Sequence, residues 1–135
     1  MPTQLNKGAF IGSLFLLTLI LSSAYSQPKW TKLGARTVNW SVDQDVIPVT
    51  GAQGSFNAIK ITVDKAAVNF ADVKIHFKKG APQDVKIKKK ISAGGETRVI
   101  DINGKNRIIT KVTFWYTTSK PAPRGKAIVN LFGRK

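Results

Sequence analysis

Outside its first 26 residues, this chain alternates apolar and polar side chains with a period of two. In the run from Phe56 to Asp64, Ile59, Ile61 and Val63 share one face, and Lys60, Thr62 and Asp64 share the other. Val68 and Phe70 keep the pattern on even numbers, while Val73, Ile75 and Phe77 resume it on odd numbers. Such a phase change predicts a bulge or break at Ala71-Asp72. A short, uncapped helix over Asp64 to Asp72 is the alternative reading. Asp45 to Thr50 reads as an edge or bulged strand, because Pro48 has no N–H to give a neighbour. Gln27 to Lys32 is a polar lead-in, and Leu33-Gly34 breaks the pattern. Thr37 to Val42 then places Val38, Trp40 and Val42 together. Lys65-Ala66 reads as a tight connection, and Val85 to Ile91 as a further strand.

The most strand-like stretch is Gly94 to Tyr116. Asn103-Gly104 between two apolar runs is a hairpin signal, since both residues tolerate positive φ. In the second run Ile108, Thr110, Val112, Phe114 and Tyr116 form the predicted core face. Ile109, Lys111, Thr113 and Trp115 face out. A loop of Asn103 to Lys105 pairs Ile100 with Ile108 and sets Asp101 against Arg107, an opposite-charge pair. After a Pro-containing loop, Ser119 to Gly125, the last strand runs from Lys126 to Phe132. It is apolar on both faces and therefore predicted to be central. Eight or nine strands with turns every eight to twelve residues predict an all-β fold. The expected form is a single β-sandwich, jelly-roll or Ig-like, with a small barrel as the alternative.

Residues 1–26 read as a secretory leader. Lys7 supplies its charge, Ala9 to Leu21 its apolar run, and Ala24-Tyr25-Ser26 its cleavage signal before Gln27. The apolar run is 13 residues, short of the roughly 20 that span a bilayer. The expectation is an exported bacterial protein, periplasmic or extracellular, with no transmembrane span after cleavage. The remaining residues, 27–135, are sized for one domain. With no cysteine, the chain has neither disulfide nor thiol chemistry.

Charge narrows the partners. The formal net charge is +15, or +14 without Lys7. Such a surface attracts anionic polysaccharide, lipid headgroups or an acidic protein, and an exported chain meets little nucleic acid. Taking Lys79 to Gln83 as a hairpin loop sets His76 against Lys86, Lys74 against Lys88, Lys78 against Asp84 and Asp72 against Lys90. That register makes a positive ladder of Lys74, His76, Lys78, Lys86, Lys88, Lys89 and Lys90, strained by like charges unless an anion relieves it. The plainer reading is a solvated edge whose lysines block aggregation.

Other constellations are thinner. Trp30 and Trp115 are candidates for an aromatic contact surface, because Trp40 and Tyr116 fall on predicted core faces. Asp43 and Asp45 are too few oxygens for calcium, so neither metal nor cofactor is expected. Asn39-Trp40-Ser41 is a glycosylation sequon within a predicted strand. With one histidine and one glutamate, no catalytic constellation assembles, and the chain reads as a non-enzyme.

The pattern Trp30-x-x-Leu33-Gly34, Asp45-Val46-Ile47-x-Val49, Arg98-x-Ile100-Asp101-Ile102-x-Gly104-x-x-Arg107-x-Ile109 and Ala127-x-Val129 before Gly133 covers nearly all of residues 27–135. It resembles a family of small exported bacterial proteins known only as a domain of unknown function. The resemblance implies a β-rich fold and an envelope or secreted location. It offers no catalytic or ligand residues, and it suggests Asp101–Arg107 as a structural clasp. Three functions follow as expectations. The first is a binding module on anionic envelope polymer or lipid. The second is a protein-interaction or structural domain docking by an edge such as the Pro48 strand. The third is a hydrolase, which needs a polar pocket.

Overall fold

The computed structural model describes residues 29–38, 43–118 and 126–135. The leader, Trp40, the sequon and the loop Ser119 to Gly125 lie outside the described residues. Nine strands follow in order: β1 Trp30–Thr37, β2 Gln44–Pro48, β3 Ser55–Phe56, β4 Ala58–Asp64, β5 Val68–Phe77, β6 Gln83–Ile91, β7 Ile100–Asp101, β8 Arg107–Thr118 and β9 Ile128–Arg134. A single 3-10 turn, Gly51–Gln53, separates β2 from β3. Among the described residues no helix is long and apolar enough to cross a membrane.

Two antiparallel sheets face each other. One has four strands in the order β1-β9-β4-β7; the other runs β2-β8-β5-β6, with β3 also on β8. Setting the two-residue β3 aside, each successive strand changes sheet, except for the β5–β6 hairpin. That alternation is the jelly-roll topology, a double-sheet sandwich rather than a closed barrel. The edge position of β2 and the central position of β9 agree with the Pro48 and both-faces-apolar readings.

The core lies between the sheets. Ile59, Ile61 and Val63 of β4 meet Val73, Ile75, Val112 and Phe114 of the other sheet in one cluster, all fully buried. Leu33 does not end a segment: it sits buried in β1, at a register shift between Lys32 and Gly34. Gly34 and Gly133 are required by close packing. A Cβ at Gly34 would lie 2.6 Å from Ile47, and one at Gly133 would lie 2.7 Å from Phe56.

Two expectations change. First, β7 and β8 do not form a hairpin. β7 pairs with Ala58 and Ile59 of β4, in the opposite sheet from β8. The Asn103-Gly104 connection is an arch, with successive positive φ at Gly104, Lys105 and Asn106. Asn57 holds it, accepting from Ile102 N through its carbonyl and from Asn106 N through its side chain. Second, β8 is irregular: Ile109 is buried and Thr110 exposed, the reverse of the predicted phase. The cause is a register shift against β5 between His76 and Phe77. The tight connection read at Lys65-Ala66 holds, and the alternative helix over Asp64 to Asp72 is absent. Ala66 N donates to Asp64 O in a tight turn, and β5 begins at Val68.

Candidate functional site

The outer face of the five-stranded sheet gathers several of the candidate side chains. Its irregularities explain its shape. Between Phe70 and Val73, β5 has one residue more than β8, so Ala71 and Asp72 both lie opposite Trp115. On the other side β6 has one residue more than β5, so Ile87 and Lys88 lie opposite Ala71. This is the bulge that the phase change predicts, and it runs across three strands. Lys88 takes a φ of 45°, a left-handed conformation unfavourable for a side chain with a Cβ.

The bulges leave an open depression of about 510 Å³ walled by Ala71, Asp72, Lys74, Asp84, Lys86 and Trp115. A second depression of about 310 Å³ adjoins it, lined by Asp43, Asn69, Thr117 and Tyr116 together with Ala71 and Trp115. Trp115 and Ala71 border both, and Trp115 is partly exposed.

The predicted positive ladder is corrected by the register. Asp72 stands opposite Lys86, and Lys74 opposite Asp84, with Lys74 Nζ 3.6 Å from Asp84 Oδ1. His76 faces Lys111 of β8, not Lys86, and Lys90 faces Asn69. The last β5–β6 pair is Ile75 with Gln83, so the loop is longer than Lys79 to Gln83. Arg107 draws that loop toward β8, donating to Lys79 O and Ala81 O. Opposite charges therefore alternate around the depression, and the like-charge strain is absent there. Lys88, Lys89 and Lys90 are exposed along the β6 edge. Lys78 lies apart, beside Lys79, Asn106 and Arg107 in another depression. The predicted residues are thus divided: Lys74 and Lys86 at the Trp115 depression, His76 beside it, three lysines at the edge and Lys78 at the far end.

The two tryptophans also separate. Trp30 is on the opposite sheet, with Lys60 Nζ 4.6 Å and the Arg134 guanidinium 4.9 Å from its ring centre. Lys60 is tied to Glu96 at 3.2 Å. Trp30 is engaged by its own neighbours, whereas Trp115 lines two open depressions. Asp72, Asp84, Asn69 and Thr117 join the site only through the pairing of strands distant in sequence. The available signal was Trp115 between two threonines on an outer face, opposite a predicted bulge.

Asp45 is mostly buried and accepts from Tyr116 Oη at 2.8 Å and Arg36 Nε at 3.0 Å, so it joins the two sheets. One carboxylate reading also changes. Arg107 makes no ion pair with Asp101 among the described residues. It donates to the carbonyls of Asn103, Lys79 and Ala81 and lies over the Phe77 ring at 3.5 Å.

His76 has its Nε2 3.4 Å from Thr113 Oγ1. Partial burial lowers its pKa below 6.5; Lys111 and Lys74 lower it further, and Asp84 opposes them. The unfolded chain therefore takes up this proton first, and stability falls as the pH drops from 6.5 through the lowered value. A proton NMR titration of this lone histidine is expected to give a midpoint below 6.5. A bound polyanion is expected to raise that midpoint. A midpoint at or above 6.5 in the free chain contradicts the placement of His76 among lysines.

The fold has counterparts among solved structures. One is AlgX of Pseudomonas aeruginosa, with a TM-score of 0.53 and 12% identity over 78% of this chain and 27% of that one. The chain thus spans about a quarter of AlgX. The SPBc2 prophage-derived protein YomS matches with a TM-score of 0.36 and 13% identity, over 82% of this chain and 97% of that one. A variant of a family 29 carbohydrate binding module gives 0.32 and 15%, over 80% and 92%. Only the first exceeds a TM-score of 0.5, and at its identity it supports a shared fold alone. Among curated proteins, none matches the chain in sequence. A family model covers residues 12–133, and the chain belongs to that family, the domain of unknown function DUF2541.

Proposed function

We propose that this chain is an exported, non-catalytic binding module of the bacterial envelope, periplasmic or extracellular, that docks on an anionic polymer. The docking surface is the outer face of the five-stranded sheet. One observation carries the reading: Lys74 and Lys86 border an open depression, and Lys88, Lys89 and Lys90 continue the positive charge along the adjacent edge. Long-range attraction by the net charge of +14 that remains without Lys7 supports it.

The test is binding of the purified chain to lipopolysaccharide, anionic liposomes, acidic glycans and DNA at low and near-physiological salt. Selective binding that survives physiological salt is expected. Each exposed ion pair is worth some tenths of a kcal/mol, so changing Lys74, Lys86, Lys88 and Lys90 to Gln together is expected to weaken binding roughly tenfold. Unchanged affinity of that variant for every anion sinks the proposal. Weak, indiscriminate binding that vanishes with salt marks the charge as a surface property only.

A rival reading, docking of a protein partner by strand addition, has one support. β2 is a sheet edge, with Pro48 exposed upon it. Binding by that route resists salt and ignores the four glutamine changes.

A further inference from the structure

We infer that the ligand of this face is a linear acidic glycan, with one sugar ring lying on the Trp115 indole and the chain continuing into the two depressions beside it. This rests on the anionic-polymer reading and narrows it to one chemical class.

The shape comes first. Trp115 and Ala71 line both depressions, of about 310 and 510 Å³, so the two adjoin at the indole and together form an open trough. From Asn69 to Lys74 along β5 the groove extends roughly 15 Å, at about 3.3 Å per residue. It suits an extended chain lying along β5, and it is too open to enclose a small molecule. The bulges in β5 and β6 create it, and Lys88 adopts an unfavourable backbone conformation there. Bulges recur next to functional sites because they re-aim side chains.

The chemistry selects the class. A phosphate-rich ligand, lipid headgroup or nucleic acid presents mainly acceptors and negative charge. Asp72 and Asp84, which border the same depression as Lys74 and Lys86, would repel it. A sugar acid presents hydroxyls that donate to Asp72, Asp84 and Asn69. It also carries a carboxylate for Lys74 or Lys86, and its C–H face suits an indole. The alternating charges of this face match a ligand that carries both donors and negative charge. Trp30 offers no second platform, because Lys60 and Arg134 already lie at its ring.

The experiment titrates the full chain with hexagalacturonate, maltohexaose and inorganic polyphosphate, following tryptophan emission and heat. The expected order is hexagalacturonate tightest. Trp115→Ala is expected to weaken hexagalacturonate roughly tenfold or more, as removal of an aromatic anchor does. It is also expected to leave polyphosphate binding nearly unchanged and to abolish the emission change. Ala71→Trp, which fills the groove and leaves the indole in place, should give the same loss and covers the case in which Trp115→Ala fails to fold. If polyphosphate binds as tightly as hexagalacturonate and both variants bind normally, the glycan inference falls while the anionic-polymer reading stands. If maltohexaose binds equally well, the acidic class falls. If neither hexagalacturonate nor polyphosphate binds, both readings fall.

Discussion

Phe114→Ala is expected to cost this protein about 3–5 kcal/mol of folding stability, the range for removing a large aromatic ring from a packed core. Phe114 is fully buried at the middle of β8. Its ring centre lies 5.9 Å from that of Phe70 and 5.4 Å from that of Tyr116. Its backbone pairs with Asp45 on one side and Val73 on the other, so three strands meet at this residue. A domain of this kind has about 5–15 kcal/mol in all, so the loss approaches the margin for folding. Urea denaturation of the variant reads it directly. Phe114→Leu keeps most of the volume and is expected to lose less than half as much. A loss below about 1 kcal/mol for Phe114→Ala would mean that the ring is not enclosed between two sheets.

Arg107→Ala is expected to cost about 2 kcal/mol, a sum of charge-assisted hydrogen bonds and a partly exposed cation–π contact. Three backbone carbonyls accept from this guanidinium: Asn103 before β8, and Lys79 and Ala81 of the β5–β6 loop. Gln83 acts in the same place, donating to Asp101 O and accepting from Asn103 N. Together they tie the arch between the sheets to the neighbouring hairpin. Lysine has a point charge and cannot address several carbonyls in one plane, so Arg107→Lys is expected to recover less than half of the loss. Asp101→Ala is expected to change stability by less than about 0.5 kcal/mol, as an exposed substitution does. A large Asp101 effect that couples to Arg107 in a double-mutant cycle would restore the ion-pair clasp suggested by the sequence.

Apart from the start of β8, where a register shift reverses the phase, the faces of the strands were legible, and their neighbours were not. Period two assigns Ile59, Ile61 and Val63, or Val73, Ile75 and Phe77, to one side without saying which strand lies alongside. A slip by an even number of residues keeps each side chain on its face while exchanging every partner. That is how Lys74 comes to face Asp84 in place of Lys88. The same limit hides the arch at Asn103-Gly104. Turn chemistry says that the chain reverses there, but the jelly-roll order decides that its two arms enter different sheets. The bulge at Ala71-Asp72 was readable because a phase change is local. Its consequence, an open flank on Trp115, depends on strands distant in sequence. Trp30 and Trp115 look equivalent along the chain. They differ because Lys60 and Arg134 converge on Trp30 from β4 and β9.

Amide chemical-shift mapping of the isotopically labelled chain on addition of hexagalacturonate tests the central claim most directly. The account predicts shifts at Asn69 to Lys74, at Asp84 to Lys88, at Trp115 to Thr117 and at the Trp115 indole, with the Trp30 indole and β9 unmoved. Shifts centred on Trp30, Lys60 and Arg134, or spread evenly over every lysine-bearing surface, would contradict it.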